Sequence, residues 1–267
     1  AFFDANSREG VSEARIIMSR YDLNFSAWFP TLSYRSKSTL RLFCLPYAGG
    51  SATLFRTWTK YLPQEIEVCP IQLPGRGGRI LEPSIKQFPS LINEISKAII
   101  PYLDRCFVFF GHSLGSLIAF EVAHQLRYEH VMQPAHLIFS GCAAPCSITQ
   151  KKTLSTLSDE EIIHELRQLN GTPNELLANK ELMTLSLPSV RADFALYESY
   201  NHCVRKPFQC PVTVFGGAED REVDLHQLES WNQETSGPFA LYRLPGDHFF
   251  LHSEEQRLLK LILQRLN

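Results

Sequence analysis

Short apolar runs alternate along the chain with longer segments whose apolar residues recur every three or four positions. Most of the short runs are apolar at nearly every position, which is typical of strands that are buried on both faces of a parallel sheet. They predict strands at residues 40–45, 66–73, 106–110, 136–141, 211–217 and 239–244. Helical spacing predicts helices at residues 90–103, 115–127 and 254–266. This alternation indicates an α/β fold with a mostly parallel, twisted sheet flanked by helices.

A helical insertion is predicted at about residues 147–207, where no strand pattern occurs. Ser158 and Glu161 form a capping-box pattern, which predicts the start of one helix. The segments PNELLANKEL (173–182) and PSVRADFALYESY (188–200) predict two more helices, each beginning at its proline. Insertions in α/β folds sit over the strand ends where ligands bind, so we expect a lid. The alternative is a helical elaboration without a role.

One serine lies between glycines at the junction of a predicted strand and a predicted helix. The residues GHSLG at 111–115 match the pattern G-x-S-x-G, whose serine sits on a sharp strand-to-helix turn. Neighbouring backbone passes close to such a turn, which explains Gly111 and Gly115. The helix N-terminus also favours a developing oxyanion. The pattern therefore predicts that Ser113 is a nucleophile.

A serine nucleophile needs a base that a third group orients, and in this arrangement the acid precedes the histidine along the chain. Asp220 follows the predicted strand 211–217, and His248 follows the strand 239–244. Loops after strands are where a rigid scaffold presents catalytic groups. We therefore predict Asp220 and His248 as the acid and the base, with Glu219 and His252 as the alternatives.

Two backbone N–H groups are expected to bind the oxyanion. The first is that of Leu114, directly after the serine, and the second is that of Ala48, in the loop after the strand 40–45. Gly49 and Gly50 allow this loop to turn its amides inward. The alternative is a simple Gly-Gly turn.

Composition excludes several classes of function. The 267 residues are 44% hydrophobic and 20% charged, which is ordinary for a soluble globular protein. A net charge of -2 without a long basic run argues against nucleic-acid binding. The seven cysteines are scattered and form no C-x-x-C pair, so we expect no zinc site and a reducing, cytoplasmic setting. We find no signal-peptide pattern and no run of about 20 apolar residues that would span a membrane.

Several motifs together resemble one family. They are LPYAGGSA (45–52), LPGRGGR (73–79), FGHSLGSLIAFEVA (110–123), FGGAED (215–220) and GDHFFL (246–251). In this order and spacing they resemble the type II thioesterases of nonribosomal peptide and polyketide assembly lines, which have the α/β-hydrolase fold. The resemblance covers residues 27–267, which we expect to form the thioesterase domain, and leaves residues 1–26 as an N-terminal extension. The chain departs from many relatives at Tyr47, where they carry histidine.

The resemblance implies hydrolysis of acyl thioesters on the phosphopantetheine arm of carrier proteins, through an acyl-enzyme. It implies a triad of Ser113, Asp220 and His248, oxyanion donors at Ala48 and Leu114, and a lid over an acyl channel. Separately, we expect no cofactor or metal and a monomer. The thiol leaving group has a pKa near 8.5 and departs readily, which suits a single histidine. One alternative is a carboxylesterase or lipase acting on small free esters, although such enzymes often carry His-Gly-Gly where this chain has Tyr-Ala-Gly-Gly. The other is a non-catalytic interaction protein.

Docking of an acidic carrier protein would have to rely on local cations, because the net charge offers no overall attraction. The cations expected near the mouth of the site and the lid are Arg76, Arg79, Lys151, Lys152, Arg205 and Lys206.

Overall fold

Six strands form a single sheet in the computed structural model, which describes residues 27–31, 37–148 and 153–266. The strands are β1 (Leu40–Leu45), β2 (Ile66–Pro70), β3 (Cys106–His112), β4 (His136–Ser140), β5 (Val212–Gly217) and β6 (Phe239–Leu244). Their order is β2-β1-β3-β4-β5-β6, and every neighbouring pair is parallel. The predicted α/β fold is confirmed, and all carboxyl ends of the strands meet at one edge of the sheet.

Successive side chains of a strand point to opposite faces, so a continuously apolar strand supplies two cores. In β1, Phe43 and Leu45 belong to one buried cluster, whereas Leu42 and Cys44 belong to the other. Burial on both faces explains why the predicted strands lack polar alternation.

Helices cover both faces of this sheet. In chain order they are α1 (Trp58–Tyr61), α2 (Phe88–Ile99), α3 (Leu114–His130), α4 (Asp159–Leu169), α5 (Asn174–Ala178), α6 (Lys180–Ser199), α7 (Leu225–Glu229), α8 (Phe250–Ser253) and α9 (Glu255–Leu266). Apolar residues of α2 and α3 complete one buried cluster, and those of α1 and α9 complete the other. The predicted helices near 90–103, 115–127 and 254–266 are therefore confirmed.

The helical insertion contains α4, α5 and α6, between β4 and β5. The predicted capping box is confirmed, because the Ser158 hydroxyl accepts from the Glu161 N–H at 3.2 Å and the Glu161 carboxylate accepts from the Ser158 N–H at 2.8 Å. The start predicted at Pro188 is wrong. The helix α6 begins at Lys180, where the Asn179 side chain accepts from a backbone N–H, and Pro188 lies inside it.

Packing explains why α6 continues through its proline. The missing N–H removes one intrahelical hydrogen bond. Residues on both sides of Pro188 fill one apolar cluster of the insertion, at helical spacing: Met183, Leu187, Val190 and Phe194. Burial of this stripe favours one long helix over a break.

Two absences concern the described part of the chain alone. None of its helices combines the length and the apolar character that crossing a bilayer demands. Its seven cysteines are unpaired with one another.

Candidate active site

Ser113 occupies the turn between β3 and α3, at the carboxyl edge of the sheet. Its φ of 52° and ψ of -121° lie in a region that residues other than glycine rarely adopt. Its N–H donates to the Ser140 carbonyl oxygen, at the end of β4, at 2.8 Å. The side chain is half-buried. The neighbouring strand thus holds the serine in a strained conformation at the start of a helix.

The two flanking glycines are required by close backbone contacts. A β-carbon at Gly111 would lie 2.2 Å from the Gly115 carbonyl oxygen, and one at Gly115 would lie 2.3 Å from the Leu45 carbonyl oxygen. No real β-carbon tolerates these distances. The close approach that the sequence predicts is therefore present, and it brings the end of β1 against the serine turn.

Asp220 and His248 meet at the same edge of the sheet. The Nδ1 atom of His248 lies 2.9 Å from the Asp220 Oδ2 atom. The other carboxylate oxygen of Asp220 accepts from the backbone N–H groups of Glu222, at 2.8 Å, and Val223, at 3.3 Å. Only 1% of the Asp220 side chain is exposed. The carboxylate is thus fixed by its own loop and is directed at the imidazole.

Glu219, the alternative acid, has a different partner. Its carboxylate accepts from the Gly246 N–H, and its own N–H donates to the Gly246 carbonyl oxygen at 3.0 Å. It therefore ties the loop after β5 to the loop that carries His248. The structure brings Asp220, rather than Glu219, into contact with the imidazole.

His252, the alternative base, lies on α8. Its Nε2 atom is 3.0 Å from the hydroxyl of Tyr47, and its ring stacks on Phe249 at a centroid distance of 6.4 Å. Burial lowers the pKa of His252, although Glu255 and Asp247 act in the opposite direction. His252 therefore forms its hydrogen bond with Tyr47, whereas His248 is the histidine that pairs with Asp220.

His112, the residue directly before Ser113, is part of the buried core. It is fully buried, its Nδ1 atom lies 2.9 Å from the Ser140 hydroxyl, and its ring packs 5.4 Å from that of His248. Burial holds the pKa of His112 well below its usual range, and the neighbouring His248 and His252 add to this. The neutral imidazole of His112 therefore packs beside His248. No sequence motif predicts this contact.

The loop after β1 lies between the body of the protein and the helical insertion. The Gly50 N–H donates to the Tyr47 carbonyl oxygen at 2.9 Å, which closes a turn around Ala48. Ala48 packs against both the main apolar cluster and the cluster of the insertion. Leu114 opens α3 and is 1% exposed. The two candidate oxyanion donors thus belong to the two backbone segments that meet at Gly115.

The expectation that Arg76 and Arg79 are accessible cations near the mouth is wrong. The Arg76 guanidinium is buried in an ion pair with Asp193 of α6. Arg79 donates from Nε to Glu82 at 2.9 Å, and its guanidinium lies 4.1 Å from the centre of the Trp28 ring. Arg76 thus pairs with a residue that is distant in sequence, whereas the acidic partner of Arg79 is only three residues further along the chain.

The other predicted docking cations differ in accessibility. Arg205 forms an ion pair with Glu121, and Lys206 is exposed. Lys151 and Lys152 lie outside the described residues.

The helical insertion also contacts the loop that carries His248. The Asn170 side-chain amide, just after α4, donates to the Asp247 carboxylate at 2.9 Å. A β-carbon at Gly171 would lie 2.1 Å from the Phe249 ring. The insertion therefore lies against two of the loops at the carboxyl edge of the sheet.

A cleft of about 860 Å³ runs along the outer side of α3, away from these residues. Its walls include Phe88, Glu121, Arg127, Tyr200 and Arg205, and none of the five candidate residues lines it. The cleft is therefore separate from the candidate site. Among the described residues, no cluster of three or more His, Cys, Asp or Glu side chains is arranged to hold a metal ion.

The parallel sheet and the serine turn define an α/β-hydrolase fold. The profile of the thioesterase domain family matches residues 40–266, and the chain belongs to that family. It is similar to the gramicidin S biosynthesis protein GrsT of Aneurinibacillus migulanus, with 41% identity over 90% of this chain and 93% of that protein. It is 35% identical to the thioesterase PikA5 of Streptomyces venezuelae, over 85% of this chain and 81% of that protein.

A solved structure gives the same result. The type II thioesterase BorB from the borrelidin biosynthetic cluster superimposes with a TM-score of 0.85, at 29% identity, over 92% of this chain and all of that one. Both kinds of comparison agree with the resemblance that the sequence motifs carry.

We expect Gly115→Ala to destabilise the fold by about 1–3 kcal/mol, because its methyl group would overlap the Leu45 carbonyl oxygen. Chemical denaturation measures the change in the free energy of unfolding. Gly78→Ala is the matched control, since a β-carbon at Gly78 meets nothing within 4 Å. Equal stability of the two variants would contradict the close approach.

Proposed function

We propose that this chain hydrolyses acyl thioesters carried on the phosphopantetheine arm of acyl or peptidyl carrier proteins. One observation carries the proposal: the Asp220–His248 hydrogen bond lies at the same sheet edge as Ser113, in a chain of the thioesterase family. Two proteins to which this chain is similar support it: GrsT is named for gramicidin S biosynthesis, and BorB is a type II thioesterase from the borrelidin biosynthetic cluster.

In the proposed reaction the Ser113 hydroxyl attacks the thioester carbonyl while His248 takes its proton. Asp220, bonded to Nδ1, orients the imidazole and stabilises its positive charge. Collapse of the tetrahedral intermediate breaks the carbon–sulfur bond, and His248 returns the proton to the departing thiolate. Water then attacks the acyl-serine with His248 again as base, which releases the carboxylic acid and restores the serine.

The backbone N–H groups of Ala48 and Leu114 are proposed to bind the oxyanion of both tetrahedral intermediates. Leu114 stands in the first turn of α3, where the positive end of the helix dipole favours negative charge. Ala48 belongs to the turn that the approach at Gly115 brings beside the serine. Donors held in advance in this way need no reorganisation during the reaction.

We further propose that the helical insertion, residues 147–207, is a lid over an acyl channel. Its contacts with Ala48 and Asp247 support this, because both residues belong to loops that carry the candidate site. Such a cover excludes bulk water and holds the arm in place. In this proposal residues 27–267 are one thioesterase domain that acts as a cytoplasmic monomer, residues 1–26 are an extension, and no cofactor is needed.

Hydrolysis of small free esters uses the same triad, but nothing in the relatives favours it. PikA5 and BorB are both named thioesterases.

Docking of the carrier protein cannot rest on Arg76 and Arg79, since both are buried in ion pairs. The weak attraction that exposed cations such as Lys206 supply speeds encounter more than it tightens binding.

We expect Ser113→Ala to reduce hydrolysis below about one hundredth of the wild-type rate, because loss of a triad member typically costs far more than this. Single-turnover release of an acyl group measures the loss. Circular dichroism and thermal melting should remain those of the wild type. Residual hydrolysis above that level would identify another nucleophile.

We expect Asp220→Asn to lower kcat by about 10⁴-fold, because the amide cannot stabilise the imidazolium that forms on His248. Glu219→Gln is the matched control, since it also neutralises one carboxylate of the same loop, and its amide oxygen still accepts from Gly246. Steady-state measurement of kcat for both variants shows which carboxylate is the acid of the triad. A greater loss in Glu219→Gln would reassign the acid.

The carrier protein is tested by presenting one acyl group in two ways. We expect kcat/KM to be higher for an acyl group on a carrier protein than for the same group on free pantetheine, across a panel of carrier proteins. The Ser113→Ala variant supplies the background rate. Equal values on both substrates for every carrier would reject the carrier proposal and favour the free-ester alternative.

A further inference from the structure

A buried ion pair joins the helical insertion to the loop of the candidate oxyanion donor. The Asp193 carboxylate, on α6, and the Arg76 guanidinium, in the loop after β2, contact each other through both of their terminal atoms. The Oδ1 atom of Asp193 lies 2.7 Å from the Arg76 Nη2 atom. Their side chains are only 1% and 7% exposed. Such a pair is costly to place inside a protein unless its geometry is good and further hydrogen bonds complete it.

The further hydrogen bonds all go to the loop after β1. The Gly49 N–H donates to the Asp193 Oδ2 atom at 2.7 Å, and the Arg76 Nη1 atom donates to the Gly50 carbonyl oxygen at 3.3 Å. The ion pair thus holds two consecutive residues of the backbone, one by its N–H group and the other by its carbonyl. Both residues directly follow Ala48.

Packing of α6 reinforces these hydrogen bonds. Gly49 has a φ of 77°, and a β-carbon there would lie 3.1 Å from the Val190 side chain of α6. Ala48 itself packs against the apolar cluster of the insertion. The backbone of the turn is therefore held against the helix on the side of Gly49, which restricts the direction of the neighbouring amide.

We propose that Arg76 and Asp193 are positioning residues for acyl transfer: their ion pair holds the backbone at Gly49 and Gly50 and thereby directs the Ala48 N–H toward the reacting oxygen. This inference rests on the proposed function, because it requires an oxyanion at Ser113. It gives the insertion a second role, since one of its side chains helps to build the oxyanion site. Both side chains are buried, so we expect neither to touch the substrate.

A merely structural tether and a positioning role make different predictions. A misplaced oxyanion donor weakens binding of the transition state, in which the oxyanion exists, and leaves binding of the ground state unchanged. A tether that only attaches the insertion would change stability and ground-state binding, or change nothing. The two roles therefore predict different changes in kcat and KM. They also predict different changes in affinity for an inhibitor that forms an oxyanion with the serine and for one that remains neutral.

The test uses the double variant Arg76→Met/Asp193→Leu, which removes both charges together because a single unpaired buried charge is strongly destabilising. We expect kcat to fall by about a hundredfold, the effect of a misplacement near 1 Å, with KM unchanged. Affinity for an alkyl trifluoromethyl ketone, whose serine adduct carries an oxyanion, should fall by a similar factor. Affinity for an acyl-pantetheine amide should remain that of the wild type.

The matched control is Arg41→Met/Glu67→Leu, which removes another buried arginine–carboxylate pair. That pair joins the amino end of β1 to β2, with side chains 4% and 2% exposed. The control should keep the wild-type kcat and both inhibitor affinities. Wild-type kcat in the folded Arg76/Asp193 double variant, or parallel losses in both inhibitors, would overturn the positioning role.

A second variant covers the case in which the double variant does not fold. Arg76→Lys keeps a positive charge opposite Asp193, but a single ammonium lacks the planar fork that binds both carboxylate oxygens and the Gly50 carbonyl together. It should lower kcat and the ketone affinity together, and wild-type values of both in the folded variant would overturn the proposal. Failure of the proposed function is recognised separately, from a wild-type protein that releases no acyl group or a Ser113→Ala variant that still does.

Discussion

The close approach of two backbone segments at Gly115 is the constraint on which the candidate site depends. The turn after β3 lies so near the end of β1 that a single β-carbon would meet the Leu45 carbonyl oxygen at 2.3 Å. The same approach presses Gly111 against Gly115 and holds Ser113 in a strained conformation. Strain of this kind persists only where the surrounding structure over-determines it. Here the Ser140 carbonyl and two buried strands provide that support.

The loop after β1 is where three parts of the molecule meet. It touches the serine turn on one side and the insertion on the other, and the buried Arg76–Asp193 pair spans the gap to the loop after β2. A parallel sheet makes this convergence possible, because it delivers the ends of β1, β2, β3, β5 and β6 to one edge. The chemistry of the site is thus assembled from distant segments that the sheet aligns.

Local patterns were sufficient to predict the sheet and the main helices. The bounds of β1 and β6 agree with the prediction to the residue, because a proline directly follows β1 and prolines stand on both sides of β6. Pro188 misled the helix prediction, since a local preference gave way to burial of an apolar stripe that continues through it. The roles of Arg76 and His112 were inaccessible for a related reason. Their partners, Asp193 and Ser140, are distant in sequence, and no motif announces a long-range contact.

The chain's order of acid and histidine made Asp220 and His248 the natural choices, but it left Glu219 open. Only the geometry separates the two acids, by directing one carboxylate to an imidazole and the other to the Gly246 N–H.

The contact between Gly171 and Phe249 makes the side chain at position 171 decide how closely the insertion can approach the body of the protein. Because the aromatic ring already fills the volume of a β-carbon, 2.1 Å away, any larger residue at 171 acts as a wedge between the insertion and the body. Another attachment of the insertion, the ion pair of Asp193, lies on a different helix. The size of the side chain at position 171 is therefore expected to set how closely the insertion approaches the loop that carries His248.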